Sequence, residues 1–281
     1  MPKAFLKNLS DARILVSNDD GIHAPGLKLL ERVARSLSRD VWVIAPEAEQ
    51  SGASHGLTLR RPLPIHKFGP RRFAVGGTPS DCVLMAVKHI IMDRAPDLVL
   101  SGVNRGANLG EDVFYSGTVA AAREAALLGF PAIAFSQVRK GETLYWKTAE
   151  KFAPEIIRRL YARPWPQSIL MNVNFPPVPP EQVAGVKVAP QGRRLQHTQV
   201  KIAKDPYGRD VLWIGDFPTD DPKDPNTDLG AIIENMVSVT PLECDSTHEA
   251  TLSRIAGRFG DIKPRRVKPK LVKPGRKRSA G

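Results

Sequence analysis

Cysteine is scarce in this chain: Cys82 and Cys244 are the only two in 281 residues. Two are too few for a disulfide scaffold, and without metal-ligand spacing they fit reduced thiols in a cytoplasmic protein. No run of 18 or more apolar residues occurs, so no segment reads as a transmembrane helix. Lys3 and Lys7 have no continuous apolar core behind them, and the start does not read as a secretory signal. The six histidines show no zinc spacing. G-x-G-x-x-G is missing after the first strand, and G-x-x-x-x-G-K-[ST] is missing throughout. Nicotinamide-cofactor and P-loop readings thereby lose their main support.

What is present in excess is positive charge, and its location matters more than its sum. Of the net +12, the segment from Arg254 onward holds +10, from eleven Lys or Arg against the single acid Asp261. The body carries about +2, which does not support a basic nucleic-acid face. Residues 251–281, with Pro264, Pro269 and Pro274 among their charges, read as a disordered basic tail. A nucleic-acid-binding role through this tail is the alternative function, and such binding would be strongly salt-dependent.

The first half alternates strand and helix signals. Ile14-Leu15-Val16 is a short apolar run stopped by Asn18-Asp19-Asp20-Gly21, and Leu27, Leu30, Val33, Ala34 and Leu37 then recur at helical spacing. Val41–Ala45 reads as a second strand ending at Pro46, followed by the polar loop Glu49–Gly56. Thr78 is the N-cap of a helix with Pro79 at its first position. Leu98-Val99-Leu100 reads as a third strand ending at Ser101-Gly102, and Thr118–Leu128 as an Ala-rich helix before strand Ala132–Phe135. A helix is expected over Thr143–Tyr161 and strands over Ile169–Val173 and Met236–Val239, the last closing at Pro241. Asp216–Asp228 reads as a loop. The alternation predicts an α/β fold, a doubly wound, mostly parallel sheet. Beyond Phe175 prolines cluster and β-formers alternate with charges, so residues 176–250 read as a β-rich segment with an extended hairpin for association. The expected organisation is an extension over 1–12, a domain over 13–250 and the tail over 251–281.

Ligands of open α/β sheets bind outside the carboxyl ends of the strands, where Asp19 and Asp20 fall. Adjacent carboxylates repel unless a cation sits between them, and a hard cation such as Mg²⁺ or Mn²⁺ suits oxygen ligands. The second and third strands are followed by loops holding Ser51, Gly52 and His55, and Asn104, Arg105 and Asn108. Parallel neighbouring strands would bring these loops to one edge of the sheet. Tyr115-Ser116-Gly117-Thr118 opens the Ala-rich helix, whose free N–H groups and dipole suit a phosphate. His23 and His55 lie in the site loops and are candidates to assist catalysis. The D-x-D arrangement of haloacid-dehalogenase-type phosphatases is missing, which weakens an aspartyl-phosphate route.

Five ordered motifs carry a resemblance: SNDDGIHAPG at Ser17–Gly26, SGASHGLTL at Ser51–Leu59, GTPSDCV at Gly77–Val83, the run Pro96–Ala125, and TDLGAI with SVTPL between Thr227 and Leu242. Together they resemble the stationary-phase survival protein SurE family, metal-dependent phosphatases of nucleoside monophosphates. The resemblance implies a Rossmann-like fold with a C-terminal element that builds homodimers or homotetramers. It places one divalent cation per subunit, Mg²⁺ or Mn²⁺, on Asp19, Asp20, Ser51 and Asn104. With the residue reading it assigns Asp19, Asp20 and Asn104 to catalysis and Asn18, Ser116, Gly117 and Thr118 to substrate phosphate. The expected reaction is hydrolysis of nucleoside 5′-monophosphates, with 3′-monophosphates as further candidates.

Overall fold

The computed structural model describes residues 8–163, 165–194, 200–214 and 224–259. One compact unit ends at Cys244 and a second begins at Asp245. In the first unit, strands β1 (Arg13–Ser17), β2 (Asp40–Pro46), β3 (Ile65–Gly69), β4 (Arg72–Val75), β5 (Leu98–Arg105) and β6 (Ala132–Gln137) precede the small hairpin β7 (Arg139–Lys140) and β8 (Thr143–Leu144). They are followed by β9 (Ile169–Phe175), β10 (Gly185–Val188), the hairpin β11 (Val200–Lys204) and β12 (Asp210–Ile214), and β13 (Met236–Glu243). Helices α1 (Pro25–Leu37), α2 (Pro79–Met85), α3 (Gly117–Leu127), α4 (Trp146–Tyr161) and α5 (Asp228–Ile233) are interleaved. In the second unit, α6 spans Glu249–Ala256, so the expected boundary at residue 250 falls inside a helix. The tail from residue 260 lies outside the described residues.

The main sheet has the order β10-β13-β9-β6-β5-β1-β2-β4-β3. The run from β9 through β4 is parallel, while β3 and β13 are antiparallel to their neighbours β4 and β9. The two-residue period of a strand sorts the core into two layers. Ile14 and Val16 of β1, with Leu98 and Leu100 of β5, pack under α1 and α4; Leu15 and Val99 face α2 and α3. Thr78 and Asp81 form a capping box at the start of α2, which accounts for the sharp helix entry after Gly77.

Several boundaries differ from the sequence reading. Helix α4 starts at Trp146, because Thr143 and Leu144 pair with Lys140 and Arg139 around Gly141. β5 continues past Gly102 to Arg105 through a register shift between Ser101 and Asn104, so Asn104 and Arg105 end a strand. Gly102 has φ +123°, and a Cβ there would stand 2.3 Å from the Phe135 carbonyl oxygen, so only glycine fits the irregularity. β13 runs on to Glu243 through Pro241. Val239 accepts a hydrogen bond from Ala189 on the β10 side, and the strand period puts the Pro241 nitrogen on that same side, past the last β10 partner. Thr227, inside the expected loop, caps the short helix α5; residues 215–223 lie outside the described set.

The end of the sheet opposite the carboxyl edge is tied by Arg13, the buried first residue of β1. Its guanidinium donates to Asp40 at 2.7 Å, to both Asp93 oxygens at 2.7 and 3.0 Å, and to the Arg94 carbonyl at 2.6 Å. Its backbone N–H donates to Asp97 at 2.7 Å. The hydrogen bond from Arg13 holds the Asp93 carboxyl down to about 2. A depressed carboxyl contributes stability above its unfolded value, near 3.8, and loses it as pH falls through about 2. Arg13→Ala removes these bonds at a buried position and should lower the melting temperature at pH 6. The gap from the unmodified protein should narrow as pH falls from 4 toward 2, as followed by thermal melts across that range.

Candidate active site

β5, β1 and β2 are adjacent and parallel, so the three loops meet at one edge of the sheet. After β1, the Asn18–Gly21 turn is closed by the Asn18 side-chain N–H donating to the Gly21 carbonyl at 3.0 Å, with Gly21 at φ +97°. Two backbone bonds lace the turn to the end of β2: Ile22 N–H to Pro46 O and Gln50 N–H to Asp19 O, both 2.8 Å. A cleft of about 600 Å³ opens there, lined by Asp19, Asp20, Glu49, Ser51, Asn104 and Ser116, with Arg105, Arg139 and Arg194 among its other walls.

Asp19 is 4% exposed. Burial pushes its carboxyl up to about 6, against the opposing hydrogen bond from Thr118 and with further upward push from Asp20. The Thr118 hydroxyl donates to Asp19 Oδ1 and the Thr118 backbone also bonds the carboxylate. A Cβ at Gly117 would lie 2.6 Å from Asp19 Cβ, so the helix start and the carboxylate meet with no room for a side chain. Burial also raises the Asp20 carboxyl; Glu49 adds to this and Arg105 opposes it.

The predicted residues divide into two sets. Asp19, Asp20, Ser51, Asn104 and Ser116 all line the cleft. Ser51 donates to Glu49 at 2.8 Å, and the Asn104 amide N–H donates to Gly106 O at 3.2 Å. Asn18, Gly117 and Thr118, expected at a substrate phosphate, do not line it. Asn18 is fully buried and closes its own turn, while Thr118 is fully buried and spent on Asp19. Ser116 is the N-cap of α3, its oxygen accepting from Val119 N–H at 3.0 Å. His23 packs edge-on against the Phe68 ring and His55 bonds Glu124; neither lines the cleft.

Other residues at the site were not singled out from sequence. Glu49 is a further carboxylate at the cleft, which Asp112 and Glu142 also line, and the polarity of the loop behind Pro46 was its only signal. Arg194 arrives from the segment after β10 and forms a bidentate pair with Asp112, both nearly buried. Asp228 accepts from the Gly110, Gly192 and Leu229 N–H groups, joining α5 to the same wall. No local pattern marks such long-range partners. Gly52-Ala53-Ser54-His55-Gly56 also spells the G-x-S-x-G letters of a nucleophile elbow. No helix follows it, and Ser54 Oγ donates to the Phe114 carbonyl at 2.6 Å, so the letters lack their strand-turn-helix context.

Comparison with known proteins follows the same line. The family model for survival protein SurE matches residues 14–198. The 5′-nucleotidase SurE of Paramagnetospirillum magneticum is 51% identical over 251 residues, covering 89% of this chain and 96% of that protein. That of Caulobacter vibrioides is 52% identical over 260 residues, covering 91% and 99%. The crystal structure of the SurE protein from Aquifex aeolicus superposes with a TM-score of 0.78 at 37% identity, covering 88% of this chain and 99% of that one.

The Thr118–Asp19 bond makes a prediction about titration. Thr118→Val removes a donor that favours the ionised carboxylate, so the Asp19 midpoint should move above 6 in metal-free protein. Carboxyl ¹³C NMR measures this, and an unmoved midpoint would show that the hydroxyl does not act on Asp19.

Proposed function

The chain belongs to the survival protein SurE family, and from that premise we propose that the cleft beyond β1, β2 and β5 is its active site and works with a divalent cation. The enzyme is a 5′-nucleotidase, hydrolysing nucleoside 5′-monophosphates to nucleoside and phosphate. Action on 3′-monophosphates is part of the proposal. The observation that carries the site assignment is the convergence of Asp19 and Asp20 with two neutral oxygen donors beside the start of α3.

The residues fit a hard cation. Two carboxylates, the Ser51 hydroxyl and the Asn104 amide oxygen form an all-oxygen donor set, which suits Mg²⁺ or Mn²⁺ over softer metals. Among the described residues no group of three His, Cys, Asp or Glu side chains could hold a metal, so half of the protein ligands here would be neutral. Burial of Asp19 beside Asp20 costs free energy that a bound cation would offset. We assign one cation per subunit to Asp19, Asp20, Ser51 and Asn104. When bound, it supplies Lewis-acid stabilisation of charge on the phosphoryl group.

The chain's own groups do the rest. Thr118 holds the Asp19 carboxylate from the first turn of α3, so one ligand is oriented before substrate arrives. Asn104 gives one amide hydrogen to Gly106 O; its second is available to the transferring phosphoryl oxygens. Arg105 and Arg139 line the cleft and supply positive charge toward an anionic ester, while the charge of Arg194 is matched by Asp112. Ser116 places the positive end of α3 at the wall where phosphate charge would collect.

The proposal extends to assembly as a homodimer or homotetramer. The hairpin β11–β12 exposes Val200, Ile202, Leu212 and Ile214 on one face, an apolar surface that association would cover. Two free cysteines fit a cytoplasmic setting. No described helix is long and apolar enough to cross a membrane.

Chelation should abolish phosphate release from nucleoside monophosphates, and Mn²⁺ or Mg²⁺ should restore it; full turnover in metal-free protein would overturn the cation. Asp20→Asn should weaken Mn²⁺ binding by about tenfold or more in calorimetry, while the metal-free melting point holds or rises as repulsion is relieved. Sedimentation at micromolar concentration should show a species heavier than the 30.8 kDa chain.

A further inference from the structure

The loop that carries Ser51 has little regular structure, yet it is fastened at both ends. At its start Gln50 N–H donates to the Asp19 carbonyl at 2.8 Å. At its far end Ser54 donates through its backbone to Tyr115 O at 3.1 Å and through its hydroxyl to Phe114 O at 2.6 Å. Gly52 within the loop and Ser54 at its far end take positive φ, +75° and +54°, so the loop doubles back tightly. One residue further on, His55 Nε2 meets Glu124 Oε2 at 2.9 Å.

Glu124 is an unusual occupant of its position. It lies on α3 among alanines, with only 7% of the residue exposed. His55 is the only hydrogen-bond partner of its side chain among the described residues. A buried carboxylate needs such a partner, and an alanine there would pack without one. The same helix, six residues earlier and roughly 9 Å along its axis, presents the Thr118 hydroxyl to Asp19. A single rigid element therefore touches both Asp19 and the loop that bears Ser51.

We infer that the His55–Glu124 pair is a positioning device that fixes Ser51 relative to Asp19 through α3, so that the cation site is set before the ion binds. The inference rests on the assignment of Ser51 and Asp19 as cation ligands. His55 touches no reacting atom in this scheme; it acts by holding the loop. Positioning groups behind metal ligands commonly change affinity by ten- to a hundredfold.

The test is Mn²⁺ binding by calorimetry on chelator-stripped full-length protein, with thermal melts of the same metal-free samples. His55→Ala should weaken Mn²⁺ binding by about tenfold. His55→Gln, whose amide nitrogen can replace Nε2, should stay within about threefold of the unmodified protein. If His55→Ala does not fold, His55→Asn, polar but too short to reach Glu124, takes its place with the same expectation. Unchanged Mn²⁺ affinity in a variant that melts lower would overturn the inference and leave the pair a purely structural contact. Equal losses in the Ala and Gln variants would also overturn it, since the bond to Glu124 would not be what matters. Absence of binding in the unmodified protein would overturn the cation assignment itself, and this inference with it; the unmodified isotherm separates that failure from the other two.

Discussion

Two carboxylates on consecutive residues, one of them almost sealed from water, are the constraint around which the first half of the chain is arranged. Like charges at Asp19 and Asp20 would drift apart or take up protons in an open turn. Here the turn is closed by Asn18, laced to β2 through Pro46 and Gln50, and faced by the start of α3. The missing side chain at Gly117 lets that helix come within contact of Asp19. Arg105, at the end of the irregular strand β5, supplies a counter-charge to Asp20. The bulge, the close-packed helix start and the laced turn are thus answers to one electrostatic problem.

The sheet separates this problem from the question of stability. Arg13 and its acidic partners tie the amino ends of the parallel strands, while the carboxylates occupy the carboxyl ends. Two apolar layers lie between, one beneath α1 and α4 and the other beneath α2 and α3. A close-packed interior of this kind holds the loops in register.

Much of this was legible in the letters, for identifiable reasons. The short strand at Ile14–Val16, the Thr78-Pro79 helix start and the Ala-rich helix after Ser116 are written in local periodicity and capping, and they appear where expected. The cleft location followed from the rule that α/β ligands sit beyond strand ends, and Asp19, Asp20, Ser51 and Asn104 do line it. Local reading failed where a residue's role is decided by a distant partner. Thr118 resembles a phosphate ligand until the Asp19 carboxylate, 99 positions away, is seen to claim it. Arg194 and Asp112 are 82 positions apart, and Asp228 reaches back to Gly110 across 118. Continuation of β5 beyond Gly102 was missed because a glycine followed by polar residues usually marks a stop.

Pro241 has a bearing on how this protein behaves when crowded. β10 is a four-residue strand, and past its last partner β13 would present bare N–H groups to any passing chain. A proline on that side removes the donor at the very position where a foreign strand would begin to pair, without costing the ladder to β9. The opposite border, β3, is short and irregular at Lys67 and Gly69. Neither margin of the main sheet offers a long, straight template, so a foreign strand that meets this rim finds few consecutive backbone groups with which to pair.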